Sequence, residues 1–440
     1  MKGAPLTRGG ICCDRAANRE TTAVVCEVCG STTCALHAYI GERSEWRCFG
    51  CFAETAKPVP PQTLRIPGTV PEPLHSDTHV AVVFHGLHIC GAARHCLELL
   101  SHLNSVGVHT SVIAPQGGGQ WADRFIETAN DLLVLTESSE LGHELHDFPW
   151  RGSRRIISAH YDHSIAWALA AGNQECEMYA HFHTEPEFGL YTKNVLRRAG
   201  SLCRSIFFPS AATRSSYQAM FSQQPDWWNT KVRIMPNAFP SSMQRRSSQP
   251  TRPPQDRTNR ELRLGIVSRL DQDKISTVLL VETLSGLRNR VPGLKVKIAG
   301  SGLMANHVAQ ELRKNRLDEV VELLGWVNEI ESVYDWSDVT FLPSHSETMP
   351  YAAMESVGAS RPVALPALGH FVDRPNGNPL IHTFAPSSAS DAIEAIMRAA
   401  NRGPESWAQP WAPAGHPFDV TQWRKTVSRL YALTDDGGDQ

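Results

Sequence analysis

Two carboxylates and two cations in the second half of the chain have types and spacings suited to a phosphorylated sugar. Glu347 and Glu355 stand on either side of Pro350, a residue that fits the first turn of a helix. Their carboxylates can accept hydrogen bonds from sugar and ribose hydroxyls, while the helix N-terminus between them favours an anionic oxygen. Upstream, Arg269 and Lys274 follow a predicted strand, and their cationic groups suit a diphosphate.

Each of these features also has an ordinary structural explanation. Taken alone, Arg269 and Lys274 fit a solvated basic loop better than a ligand site. Glu347 could simply stabilise the dipole of the helix that follows it, and Glu355 could lie on the surface. The residue types alone therefore do not decide between a ligand site and these structural roles.

A second group of candidate residues lies in the first half of the chain. The segment HGLHICGAARHCLEL contains Gly91 at a turn and Arg94 at the start of a helix. His160 ends the strand-like run RRIISAH, and His183 ends EMYAHFH. Histidines at strand ends can hydrogen-bond a ligand or move protons. A lone histidine is more often structural, and that is our interpretation of His181.

Cysteines are concentrated near the N-terminus, in pairs with the spacing of metal ligands. The candidate ligands are Cys12, Cys13, Cys26, Cys29, Cys34, His37, Cys48 and Cys51. Paired cysteine and histidine ligands suit tetrahedral zinc, and this set is large enough for two ions. We expect one or two structural zinc ions that serve folding or partner docking. Buried free thiols are the alternative.

Two regions must position the candidate residues, because strand-like and helical patterns alternate over residues 77–238 and 261–403. This pattern predicts two α/β domains with parallel, doubly wound sheets, whose ligands bind at the carboxyl ends of the strands. Two such domains would face a cleft. The other segments are a zinc-binding module (10–55), a Pro-rich linker (56–76), a second linker (239–260) and a tail with a crossing helix (404–440).

Taken in order, the motifs from about residue 80 to 380 resemble glycosyltransferase family four, the retaining enzymes of the GT-B fold. SRLDQDK resembles the family's phosphate loop, KIAGSGLMANHVAQEL its Gly-x-Gly turn and helix, and SETMPYAAMESVGASRPV its Glu-x7-Glu motif. The resemblance implies a transferase that moves a sugar from a nucleotide-sugar to an acceptor. A UDP-sugar is the commonest donor, and the acceptor is a small molecule, a lipid or a glycan.

The resemblance also implies roles for individual residues. Arg269 and Lys274 would stabilise the leaving diphosphate, and Glu355 would bind the ribose. The donor sugar would be held by Glu347, Thr348, Met349, Pro350 and Tyr351. On the first domain, Gly91 would approach the donor phosphates, His183 would lie near the reacting centre, and His160 and Arg94 would face the acceptor. Three features depart from the family: Thr348 and Cys90 each replace a glycine, and the loop LGHFVDRPNGNPLI lacks the usual acidic Pro-Glu element.

By the same resemblance, the reaction is a front-face displacement in which the leaving phosphate accepts the acceptor's proton. Fixed cations would take the place of a catalytic metal, so we expect none. The cysteine-rich segment is similar to B-box-type zinc fingers. Two alternatives stay open: a degenerate transferase domain that acts as a binding or scaffold protein through the zinc module, and a phosphorylase of the same fold.

Composition narrows the class of protein. The formal net charge of -3 and the few basic residues in the cysteine-rich segment argue against a nucleic-acid partner. No apolar run reaches the roughly 18 residues of a transmembrane helix. The first residues, MKGAPLTRGG, lack the apolar core of a signal peptide. Because clustered cysteine pairs without an export signal favour metal over disulfides, we expect a cytoplasmic protein.

Overall fold

The structure is a computed structural model that describes four short strands between residues 23 and 47 and, with short gaps, the chain from residue 64 to residue 433. The gaps are residues 72, 74–76, 89, 136–140, 172–174, 187–188, 239, 241–242, 244–260, 273, 372–377 and 402–419. Contacts between Cα atoms divide the chain into two compact units. The first comprises residues up to 208 and 217–233, and the second comprises 209–216 and residues from 234 onward.

Before residue 64 the structure describes only four short strands. They are β1 (Ala23–Val25), β2 (Thr32–Cys34), β3 (Tyr39–Ile40) and β4 (Trp46–Arg47). β1 pairs with β2 and β3 pairs with β4, both antiparallel. Cys34 therefore belongs to a strand, but its side chain and the seven other predicted zinc ligands lie outside the described residues. The zinc-binding module stays a prediction.

Strands and helices alternate regularly between residues 64 and 234. The strands are β5 (Leu64–Pro67), β6 (Thr78–Phe84), β7 (His109–Ala114), β8 (Asp131–Val134), β9 (Arg154–His160), β10 (Glu177–His181), β11 (Ser205–Phe208) and β12 (Val232–Ile234). The helices are α1 (Gly91–Ser105), α2 (Ala122–Thr128), α3 (Leu141–His146), α4 (Asp162–Ala171), α5 (Leu190–Leu202), α6 (Ala211–Gln218) and α7 (Trp228–Lys231). This succession is the pattern expected for an α/β fold.

These strands form one sheet in the order β12-β11-β10-β9-β6-β7-β8-β5. The central strand β6 pairs in parallel with β7 on one side and with β9 on the other. Its core run from Val80 to Phe84 is fully buried, as expected for a strand covered by helices on both faces. The strand order reverses between β6 and β9, so the loops that follow these two strands diverge at a topological switch point.

β5 corrects one part of the domain prediction. Residues 56–76 were expected to be a linker, but β5 pairs antiparallel with β8 at the edge of the sheet. Leu64 and Ile66 alternate with exposed neighbours, which is the pattern of a half-buried strand. Pro67 is tolerated because it ends an edge strand.

The second unit repeats the alternation. Its strands are β13 (Glu261–Val267), β14 (Gly293–Ala299), β15 (Val321–Gly325), β16 (Val339–Phe341), β17 (Val363–Pro366) and β18 (Ile381–Phe384). Its helices are α8 (Thr277–Arg290), α9 (Ala305–Lys314), α10 (Glu331–Trp336), α11 (Tyr351–Gly358), α12 (Ala389–Ala400) and α13 (Val420–Leu430). Local signals define several helix starts: the hydroxyls of Ser276 and Ser388 accept hydrogen bonds from the first turns of α8 and α12.

All six strands of this unit are parallel, in the order β15-β14-β13-β16-β17-β18. This is the order of a doubly wound nucleotide-binding sheet, and its switch point falls between β13 and β16. Aliphatic side chains of β13, β14 and α8, among them Leu264, Ile298 and Leu280, form its core. The prediction of two Rossmann-like, parallel-sheet domains is therefore confirmed.

Helix α13 lies within the predicted tail. Trp423 on this helix is buried, and its indole N–H donates a hydrogen bond to the carbonyl of Pro236 at 2.9 Å. Both residues belong to the second unit. Among the described residues, no helix combines the length and apolarity needed to cross a membrane.

Candidate active site

The switch point of the second sheet brings together the charged residues selected from the sequence. Arg269 and Lys274 lie in the loop after β13, and Glu347 lies in the loop after the neighbouring strand β16. The two loops are joined by a bridge between Ile275 and Ser344. Parallel strands of this topology direct their carboxyl-terminal loops toward a shared ligand site, so the fold accounts for this meeting of residues.

Lys274 and Glu347 form an ion pair at the centre of this site. The Lys274 ammonium donates to Glu347 Oε2 at 2.5 Å and to the Ser346 carbonyl at 3.0 Å. The Ser344 hydroxyl donates to the other Glu347 oxygen at 2.8 Å. The Glu347 side chain is 3% exposed, whereas that of Lys274 is 27% exposed. An ammonium has three donors, and these contacts use two of them on the inner side.

The phosphate-loop candidate is held against the Gly-x-Gly turn that follows β14. Asp271 Oδ2 accepts a hydrogen bond from Arg269 at 3.0 Å, and Asp271 Oδ1 accepts one from the backbone N–H of Leu303 at 2.9 Å. A Cβ atom at Gly300 would stand 1.8 Å from the Ser268 carbonyl oxygen, so only glycine fits there. The Arg269 side chain is 43% exposed, which leaves its guanidinium accessible to a ligand.

Glu355 lies inside α11 and is buried, with 6% of its surface exposed. The surface explanation of this residue is therefore wrong. Its Oε2 accepts a hydrogen bond from the phenol of Tyr334, which lies on α10, at 2.7 Å. Sequence reasoning missed Tyr334, a buried tyrosine whose polar end requires a partner.

Thr348, Met349, Pro350 and Tyr351 form the connection from Glu347 into α11. The helix begins at Tyr351, one residue later than Pro350 was predicted to start it. Asn237 holds this connection, because its amide donates to the Met349 carbonyl at 2.8 Å. Gly369 packs so closely on it that a Cβ atom there would stand 2.3 Å from the Thr348 carbonyl oxygen. Sequence reasoning missed Gly369. Its position just after β17 was the signal that could have identified it.

In the first unit, Gly91 and Arg94 lie in the first turn of α1, which follows the loop after β6. Cys90 caps this helix: its Sγ accepts a hydrogen bond from the Ala93 N–H at 3.4 Å. The residue that replaces the family's glycine thus has a local structural role. The loop itself is narrow, since a Cβ atom at Gly86 would stand 2.7 Å from Nε2 of His88.

His160 and His183 meet in the structure at the ends of β9 and β10. His160 Nδ1 lies 2.9 Å from His183 Nε2, and His160 Nε2 lies 3.0 Å from the Ser158 hydroxyl. His181, interpreted from sequence as structural, pairs in register with His160, and the two rings stack at 4.1 Å. His95 on α1 joins them, with its ring centroid 5.1 Å from that of His183. Sequence reasoning missed His95.

Burial keeps these four imidazoles neutral. Desolvation lowers the pKa of His95 to about 4, and it lowers the pKa values of His160, His181 and His183 well below the usual range. Mutual repulsion between the rings lowers the last three further. Neutral imidazoles can accept hydrogen bonds and bind metal ions, whereas imidazolium ions cannot.

Comparison with known proteins agrees with this geometry. Residues 261–401, which contain every charged residue of the second-unit site, match the family model described as glycosyl transferases group 1. This segment of the second unit is therefore similar to the domain that the model describes. No protein of curated function matches the chain in sequence.

Solved structures show the same fold over most of the chain. HepE of Anabaena, in complex with UDP, is 14% identical at a TM-score of 0.61, covering 81% of this chain and 100% of its own. A glycosyltransferase from Rickettsia africae is 14% identical at 0.61, covering 82% and 100%. The lipopolysaccharide outer core galactosyltransferase WaaB is 12% identical at 0.57, covering 81% and 100%. The chain thus has a GT-B-like fold.

Proposed function

We propose that this protein is a retaining glycosyltransferase that moves a sugar from a nucleotide-sugar, in the first place a UDP-sugar, to an acceptor. The observation that carries the proposal is the pairing of Lys274 with the buried Glu347 at the switch point of a sheet whose sequence matches glycosyl transferases group 1. UDP is the first nucleotide to test because HepE, which shares the fold, was solved in complex with it.

Each charged group at this site has a place in donor binding. Lys274 keeps one N–H donor for a phosphate oxygen after its contacts with Glu347 and Ser346. The exposed guanidinium of Arg269 can bind the same diphosphate in a fork. Glu347 and the backbone at Thr348 would hold the sugar hydroxyls, and Glu355 would accept hydrogen bonds from the ribose diol.

The proposed reaction is the front-face displacement that the resemblance to retaining glycosyltransferases implies. The bond between the anomeric carbon and the phosphate oxygen breaks, and the acceptor oxygen bonds to the same face of that carbon. The acceptor's proton passes to the departing phosphate oxygen. Arg269 and Lys274 stabilise the charge that develops on the diphosphate, so their fixed cations do the work that a metal ion does in other transferases.

The remaining assignments extend this proposal to the rest of the chain. His160 and Arg94 would lie on the acceptor side, Gly91 near the donor phosphates and His183 near the reacting centre. The N-terminal cysteine pairs would bind structural zinc and offer a docking site for a protein partner. Such metal-spaced thiols suit a reducing compartment, and this supports a cytoplasmic protein.

Nucleotide binding tests the proposal directly. We expect UDP, compared with GDP, ADP and dTDP, to raise the thermal unfolding temperature of the full chain. A ligand present at about 100 times its dissociation constant adds about 2.7 kcal/mol of stability. Glu355→Gln, which keeps the size of the side chain but removes its charge, should weaken this shift. Turnover of UDP-sugars is then measured as release of UDP.

The control variant is Glu394→Gln on α12, which removes an exposed carboxylate of the same unit. It should bind nucleotide as the unaltered protein does. If no nucleotide stabilises the protein, the transferase proposal fails, and a scaffold role for a degenerate domain replaces it. Binding of a nucleotide without any turnover would support the same replacement.

A further inference from the structure

Four imidazoles converge on one side of the first sheet, and we call them the histidine cluster. Its members are His95, His160, His181 and His183. The fold explains this convergence: His160 and His181 are register partners on neighbouring parallel strands, so their side chains point the same way. His183 follows two residues after His181, and α1 adds His95.

The nitrogen atoms of the cluster have the spacing of a nearly formed metal site. One ring nitrogen from each residue lies within 4.8 Å of the corresponding atoms of the other three. His160 Nδ1 and His183 Nε2 are closest, at 2.9 Å. Ligands of a tetrahedral zinc ion at about 2.0–2.1 Å stand roughly 3.3 Å from each other, so shifts on the order of 1 Å would complete the geometry.

The electrostatic state of the cluster suits a cation. The imidazoles are buried and neutral, so each offers a lone pair without first losing a proton. The donor set consists of nitrogen alone, which selects zinc and its neighbours over magnesium or calcium, whose ligands are oxygen atoms. Bringing four histidines into one buried site costs desolvation of their polar atoms, and a bound ion would offset that cost.

We propose that the histidine cluster binds one zinc ion. Four protein ligands complete the tetrahedron and leave no position for substrate, so the ion is structural: it ties α1 to the ends of β9 and β10. The Ser158 hydroxyl beside Nε2 of His160 orients that ring so that Nδ1 faces the ion. His183 faces the ion with Nε2, which lies next to Nδ1 of His160, and it carries its own proton on its Nδ1 when the ion is bound. Zinc binding therefore releases no net proton.

This inference does not depend on the proposed transferase activity. It does change the expected roles of His160 and His183, which become metal ligands rather than side chains available to substrate. The other arrangement of the same four residues is a hydrogen-bonded imidazole network without metal, and the experiment separates the two.

The proposal is tested by measuring the amount of zinc bound to the protein. The full chain is stripped with a chelator, equilibrated with Zn²⁺, freed of excess ion and analysed by elemental mass spectrometry. We expect His181→Gln to bind one zinc equivalent less than the unaltered protein. The control His143→Gln, which alters a side chain 80% exposed to solvent, should retain the full content. The difference between variants isolates the cluster from any zinc held by the N-terminal cysteines.

A second measurement uses the unaltered protein, so it stays informative if His181→Gln does not fold. The unaltered protein is loaded with ¹¹³Cd²⁺, whose NMR resonance for a site of nitrogen ligands is well separated from that for thiolate sites. A nitrogen-ligand resonance supports the proposal. Equal zinc content in the unaltered protein and a folded His181→Gln, or cadmium resonances from thiolate sites alone, would overturn it in favour of the metal-free network.

Discussion

Lys274 and Glu347 form the ion pair at the centre of the candidate site. Glu347 is almost fully buried, and Lys274 and Ser344 satisfy its two oxygens. A buried carboxylate without such partners would cost several kcal/mol. The pair therefore pre-organises the site, because Glu347 stands at the entrance of α11 before any ligand arrives.

The energetic coupling of this pair can be measured with a double-mutant cycle. Lys274→Met should destabilise the protein by about 1–3 kcal/mol, since it leaves the buried Glu347 carboxylate without its cation. Glu347→Gln should destabilise it as well but by less, since the Lys274 ammonium is partly exposed and keeps the Ser346 carbonyl. The double variant should lose less than the sum of the two. Chemical denaturation gives the free energies of unfolding.

The exposed pair Arg290 and Glu394 provides the comparison for this cycle. Both side chains are more than half exposed, at 53% and 54%, so their coupling should not exceed about 1 kcal/mol. Strictly additive effects of Lys274→Met and Glu347→Gln would show that the two groups do not act as a unit in solution.

At the scale of elements, the loop after β13 and the turn after β14 form one structure. The N–H of Leu270 donates to the Ser301 carbonyl, and the N–H of Met304 donates to the Leu270 carbonyl, at 2.9 and 2.7 Å. The close contact of Gly300 with Ser268 leaves no room for a side chain. A Gly-x-Gly match is weak evidence for a ligand site when only the sequence is known. In the structure, the packing of this turn requires the glycine at position 300.

Gly300→Ala should therefore be damaging. Its new methyl group meets a backbone carbonyl that cannot rotate away, so we expect a loss of about 1–3 kcal/mol in stability. The displaced loop carries Arg269, and nucleotide affinity should fall as well. Unfolding free energy and nucleotide titration measure the two effects.

Gly142→Ala in α3 is the matched control for this substitution. Its nearest neighbour would be an Ala171 carbon at an ordinary 3.7 Å, and alanine favours a helix over glycine. We expect Gly142→Ala to be neutral or slightly stabilising. A Gly300→Ala protein that equals it in stability and nucleotide affinity would refute the packing argument.

At the scale of the whole molecule, the two units share a strand order that reverses after the first parallel strand, and each carries its candidate residues at that reversal. The first unit also contains many buried neutral histidines. His79 on β6 is an example away from the histidine cluster: its pKa is lowered to about 3 by burial, by His109 and by Arg151, against the opposing effect of Asp131.

Burial of neutral His79 makes stability depend on pH. Below its usual pKa of about 6.5, the unfolded chain gains a proton at this residue that the folded chain does not bind until about pH 3. The free energy of unfolding should fall as the pH is lowered through this window. His79→Asn, whose amide oxygen can still accept the Arg151 N–H, should make the slope shallower by about 1.4 kcal/mol per pH unit.

Denaturant unfolding between about pH 6 and pH 5 measures this slope. The control His143→Asn alters a side chain that is 80% exposed to solvent. An unchanged slope in His79→Asn would show that His79 is protonated in the folded protein and that its surroundings do not keep it neutral.

Local sequence patterns were sufficient to predict both α/β units, since buried strands such as β6 read as continuous apolar runs. They also selected Arg269, Lys274 and Glu347 as candidates, because ligands bind at the loops after parallel strands, and Glu355 as a candidate within the helix that follows. The partners of these residues depended on packing between segments distant in sequence. Tyr334 reaches Glu355, Gly369 packs on Thr348, and His95 meets His183 only after separate strands and helices have come together. No local pattern encodes such contacts, because strand register and helix packing are properties of the whole fold.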